Sequence, residues 1–116
     1  MVIWLEAGAR MTEKVTLKNN HECLVKIKGD HINLESAHEI LRQEFVEWCN
    51  LHNYKAENAT IKLEKDQHQG VNFTLTMHIH LNKHDYHAQA INSDLHKALK
   101  DCLHTMHNNI AHHKGK

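Results

Sequence analysis

Three histidines, His78, His80 and His87, flank one short polar turn in the segment 78-HIHLNKHDYH-87. His78 and His80 are two residues apart, which on a strand puts both imidazoles on one face. Pairing Leu81 with Tyr86 across the turn sets His80 opposite His87, and three imidazoles so placed can converge on zinc, nickel or copper without moving the backbone. The same groups can instead titrate as a pH-sensitive patch, or simply decorate a solvated face. No carboxylate or cysteine is assigned to that face to complete a ligand set. His104 and His107, at a three-residue step, form a second and weaker pair.

Lysines offer a different chemistry. Lys26, Lys28 and Lys62 alternate with apolar residues, so a sheet would set them out on one side, where ammonium groups hold phosphates in place without reading sequence. Enzymatic chemistry has less to build on. No nucleophile lies beside a base in a known pattern, and with only four glycines there is no glycine-rich phosphate loop. The chain reads as a non-enzyme that needs no cofactor.

The composition narrows the partners. Fourteen Lys+Arg balance fourteen Asp+Glu, which excludes a bulk polycation and requires any nucleic-acid binding to come from a local patch. Fourteen histidines make the net charge climb steeply on mild acidification. Cys23, Cys49 and Cys102 are widely spaced and each lies among apolar residues, as reduced core cysteines of a cytosolic protein do. The opening 1-MVIWLEAGARMTEK-14 is too short in its apolar part for a signal or membrane segment, and Glu6 interrupts it. Residues 1–20 therefore read as an N-terminal extension, either disordered or added as an edge strand. Met11 can serve as an alternative initiator.

The elements that position these groups follow from periodicity. A first strand at 23-CLVKIKG-29 alternates Cys23, Val25 and Ile27 against Leu24, Lys26 and Lys28. Residues 33–53 carry Ala37, Ile40, Leu41, Phe45, Trp48 and Cys49 at steps of three and four, which is an amphipathic helix capped at Asn33. Its outer face is acidic, with Glu35, Glu39, Glu44 and Glu47 against Arg42. Two further strands at 58–65 and 72–81 point Ile61, Leu63, Leu75, Met77 and Ile79 inward, and Lys62, His78 and His80 outward. After a turn at 82–85, a fourth strand at 86–92 turns Tyr86, Ala88 and Ala90 inward. A last helix from residue 94, capped by Ser93 or Asp94, lines up Leu95, Ala98, Leu99, Cys102, Leu103, Met106 and Ile110. The expected fold is α+β, in the order β-α-β-β-β-α, as one domain over residues 21–116 with both helices on one face of a four-stranded sheet. The opposite face presents Lys26, Lys28, Lys62, His78, His80 and His87.

Residues 86-YHAQAINSDLHKALKDCLHTMHNNIAHHKGK-116 resemble the bacterial ribosome hibernation-promoting factors, also called ribosome-associated inhibitors or sigma modulation proteins. The likeness rests on His87-Ala88-Gln89-Ala90, the turn to Asp94, and a final helix ending in His113, Lys114 and Lys116. His80, Leu81 and Asn82, 61-IKLEK-65 and 25-VKIKG-29 fit the family's other strands in the same order, so the match spans residues 23–116. What this resemblance implies is a cytoplasmic protein that binds the RNA of the small ribosomal subunit and silences idle ribosomes under stress, regulating translation. The RNA-binding residues it points to are Lys26, Lys28 and Lys62 on the sheet, with His80 and His87 beside them. Lys97, Lys100, Lys114 and Lys116 are the candidates on the last helix and tail. The chain departs from the family where Glu44, Glu47, Thr105, Asn108 and His112 stand in place of basic residues. A double-stranded RNA module shares the α-β-β-β-α order, and Lys97 and Lys100 resemble its lysine cluster, but the first strand favours the hibernation type. The alternative to ribosome binding is a histidine-rich metal-binding or pH-sensing protein on the same fold.

Overall fold

A computed structural model describes residues 9–30, 34–66 and 72–114. The chain runs β1 (Ala9–Leu17), β2 (His21–Asp30), α1 (Leu34–His52), β3 (Asn58–Asp66), β4 (Asn72–Leu81), β5 (His84–Asn92) and α2 (Leu95–Lys114). The strands lie side by side in chain order in one sheet. β2 and β3 are parallel and joined through α1, whereas the other neighbours are antiparallel. The α+β class and the two helices on one face are as expected, but the sheet has five strands instead of four. The added strand is β1, paired along its whole length with β2 from Ala9 opposite Gly29 to Leu17 opposite His21.

β1 is an edge strand held by few apolar groups. Val15 and Leu17 enter the core, while Glu13, on the same face, meets α1 through His38 at 3.0 Å and Arg42 at 3.5 Å. Arg42 also pairs with Glu39. The ion-pair cluster ties this edge of the sheet to α1. Asn19 and Asn20, both with positive φ, turn the chain from β1 to β2, a conformation asparagine tolerates better than most residues. The turn is tied to the end of α1, because the Lys18 backbone N–H donates to the Asn50 side chain at 2.9 Å.

The covered face is a continuous apolar layer. Val25, Ile27, Ile61, Leu63, Leu75, Met77 and Ile79 project from the sheet against Leu41 and Phe45 of α1 and Leu99, Met106 and Ile110 of α2, all buried. Each such side chain contributes about 1.5–3 kcal/mol by leaving water. α1 lies over β1 and β2 and α2 over β4 and β5, which leaves only a narrow line of contact between the helices. α1 stops at Asn53, whose positive φ lets the Tyr54 N–H return to the Cys49 carbonyl at 2.8 Å. Asp94 caps α2 by accepting from the His96 N–H at 2.9 Å and more weakly from that of Lys97. The expected cap of α1, Asn33, lies outside the described residues. No described helix is long and apolar enough to cross a membrane.

Candidate nucleic-acid interface

The period of two that buries Val25, Ile27 and Ile61 turns their neighbours to the uncovered side of the sheet. Lys26 lies beside Thr12 and Thr60, and Lys28 lies directly opposite Lys62, which is opposite Thr76 in turn. Like charges in register across two strands repel, so this arrangement costs stability unless an anion relieves it. Glu64 approaches Lys62 at 3.5 Å, but among the described residues Lys26 and Lys28 have no ion pair. Three lysines thus stand together on a rigid, half-open surface, interleaved with threonine hydroxyls that can add hydrogen bonds to phosphate oxygens.

The histidine side of the face differs from expectation in register. Leu81 pairs with His84, which sets His80 opposite Asp85 and His78 opposite His87. The cause is the turn: Asn82 and Lys83, with φ of 52° and 67°, are both left-handed and close a two-residue hairpin where four residues were expected. The slip is two residues, so every side chain keeps its face. It does bring in a carboxylate that sequence reasoning had assigned to the turn. Asp85 Oδ1 lies 2.8 Å from His80 Nδ1 and 3.3 Å from His78 Nε2, and Glu57 approaches the other nitrogen of His80 at 3.9 Å. The hydrogen bond that His80 donates to Asp85 raises the His80 pKa above the ordinary imidazole value, aided by the charges of Asp85 and Glu57. The reciprocal bonds from His80 and His78 hold the Asp85 carboxyl below the ordinary range. The rings of His78 and His87 pack with their centres 4.1 Å apart. Among the described residues, no group of three or more His, Cys, Asp or Glu side chains is arranged to hold a metal ion.

No family model and no curated protein sequence matches this chain. Its architecture does have a counterpart. The fold is similar to that of a ribosomal subunit interface protein from Coxiella burnetii. The two superpose with a TM-score of 0.62 over 79% of this chain and 98% of the other, at 16% sequence identity. Similarity at that identity fixes the arrangement of strands and helices, and the residues on them must be judged by their own chemistry.

The lysines of α2 do not join those of the sheet. Lys97 is exposed on the helix, and Lys100 lines a cleft between α1 and α2, on the far side of the molecule from Lys26, Lys28 and Lys62. Lys114 ends α2 with its side chain outside the described residues, as is the whole of Lys116. Beneath the cleft, Trp48, His52, Tyr54 and His107 form an aromatic cluster in which His52 and His107 stack at 4.2 Å and Tyr54 shares a 2.6 Å hydrogen bond with His107. Desolvation, with the neighbouring His107, lowers the His52 pKa. The three cysteines are buried and reduced. Burial pushes the Cys23 thiol to about 11 and that of Cys102 to about 12, and raises that of Cys49 further.

Proposed function

We propose that this protein is a cytoplasmic, non-catalytic binder of the RNA of the small ribosomal subunit, acting through the lysine side of its open sheet face to restrain translation in idle or stressed cells. The observation that carries the reading is the juxtaposition of Lys28 and Lys62 across β2 and β3 with Lys26 alongside, a like-charge cluster that a phosphate backbone would relieve. The shared fold with a ribosomal subunit interface protein supports it. Lysines on a sheet fix position and not sequence, which suits a partner recognised by the shape of folded RNA.

The test is co-sedimentation of the purified protein with small ribosomal subunits, in low and high salt, with and without a metal chelator. Pelleting that salt abolishes and the chelator leaves unchanged is the expected result. Failure to pellet, together with metal in the purified protein, would transfer the fold to metal use and end the ribosome reading.

One observation favours a pH-sensing element within the same function. His78, His80 and His87 border the lysines, and imidazoles that take up protons beside phosphates strengthen binding. Affinity for the subunit is expected to rise between pH ~7.5 and ~6. A flat profile at constant salt would remove this element and leave the lysines as the whole interface.

A further inference from the structure

The helix layer carries a second surface, independent of the sheet face. α1 and α2 diverge enough to leave a cleft of about 350 Å³, with Trp48 and Leu103 at its floor. Leu51 stands at its margin 77% exposed, the most exposed large apolar side chain among the described residues. The two walls carry opposite charge, Glu44 and Glu47 on α1 and Lys100 on α2, with the His104 imidazole beside Lys100 on the second wall. Among the described residues no ion pair crosses from one wall to the other, and Glu47 accepts only a 3.4 Å hydrogen bond from the Gln43 amide on its own helix. The cleft is therefore apolar, open, and lined by charges that form no ion pair across it among the described residues.

We propose that this cleft is the contact surface of a two-fold dimer of the chain. An occupant must bring an apolar knob to the floor, cationic groups to the α1 wall and carboxylates to the α2 wall. The surface itself offers all three. In an isologous contact whose two-fold axis runs along the cleft, α1 of one copy lies over α2 of the other, and each residue keeps its height along the groove. Glu44 and Glu47 then face Lys100 and His104 of the second copy, and each Leu51 reaches the apolar floor of the other. An axis across the cleft would lay acidic wall on acidic wall, so the charge pattern selects the first orientation. Helices of this length are roughly 28 Å long and 10 Å wide, so two such pairs bury roughly 1,100 Å² in total, the lower end for a specific contact. The dimer is accordingly weak and concentration-dependent. It leaves the open sheet face free in both copies.

Sedimentation equilibrium of the full chain from about 1 to about 500 µM, a range that brackets a weak specific contact, tests the assignment. A monomer–dimer equilibrium is expected in low salt, with circular dichroism confirming that each variant below is folded. Leu51→Asp, at an exposed position, should leave the chain monomeric. Glu47→Lys and Lys100→Glu should each weaken the dimer at least tenfold. An equimolar mixture of these two variants should recover it, because the introduced lysine then faces the introduced glutamate while the native Glu47 and Lys100 face each other. A wild-type chain that stays monomeric throughout overturns the proposal. So does a dimer that survives Leu51→Asp, or a pair of monomeric variants that fails to associate when mixed.

Discussion

The open face of the sheet is divided between two kinds of cation. On β2 and β3, Lys26, Lys28 and Lys62 are crowded together, and among the described residues Glu64 is the one carboxylate that forms an ion pair with any of them. On β4 and β5, His78 and His80 are already served by Asp85, with Glu57 close behind. Among the described residues, the lysine side carries an electrostatic demand that Glu64 meets only in part, and the histidine side meets its own. A surface that binds an external anion should resemble the first; a surface that responds to protons while staying internally balanced should resemble the second. Proximity of positive charge to a partner is thus a poor guide by itself, and local compensation decides which half is available.

The largest test of that contrast replaces Lys26, Lys28 and Lys62 together by alanine. Each phosphate contact is worth roughly 0.7–0.9 log units of affinity at 0.1 M salt, so the triple variant should lose on the order of 10²-fold for the small subunit and about three units of salt slope. Its stability should stay within about 0.5 kcal/mol, since the three side chains are surface groups. Binding measured against salt concentration, beside urea unfolding, checks both.

A smaller effect is expected from Asp85→Asn. The His80 pKa should fall back toward the imidazole reference, observable as a lower titration midpoint of its ring proton resonances. The sign for stability follows from the two shifts. His80, raised in the folded state, contributes stability that is present below its unfolded pKa and is lost as pH rises through its folded value. Asp85, depressed, contributes stability present above its unfolded pKa and lost as pH falls through its folded value. The pair therefore supports the fold most in the mildly acidic range between the two, and the variant should flatten that part of the pH–stability curve. Freeing the imidazoles from Asp85 should raise RNA affinity a few-fold at pH ~6 and change it little at pH ~8.

The smallest effect belongs to His78→Ala with His87→Ala. At pH ~7.5 the double variant should match the parent in subunit affinity, and the gain on acidification should shrink to the part that His80 supplies. A large loss at pH ~7.5 would erase the division between the two halves, since the histidines would then be binding as neutral donors.

Much of this division is visible in the sequence, because the side-chain period of a strand assigns faces before any register is known. Lys26, Lys28, Lys62, His78 and His80 fall opposite Val25, Ile27, Ile61, Met77 and Ile79 on alternation alone. β1 is less legible: of its inward positions, Glu13 is charged, and what makes it acceptable there is His38 and Arg42, supplied from α1 by the tertiary fold. The hairpin register is likewise hidden, since Asn-Lys is not the asparagine–glycine pair that announces a left-handed two-residue turn. Extending the inward series Tyr86, Ala88 and Ala90 back by two residues would have put Asp85 on the histidine face. The helix cleft could not be anticipated either. The exposure of Glu47 and Lys100 follows from their helical positions, but their facing each other depends on where α1 and α2 settle on the sheet.

The three buried thiols give the molecule a set of internal clocks. Cys23, Cys49 and Cys102 belong to β2, α1 and α2, and with burial keeping them protonated and covered, none can react until its own element leaves the core. The order in which an alkylating reagent captures them in mild denaturant is then the order in which strand and helices detach, recorded in the natural chain without a single engineered label. Simultaneous capture would mean that the sheet and both helices open as one cooperative unit, and the staggering between them would measure how independently each helix is held.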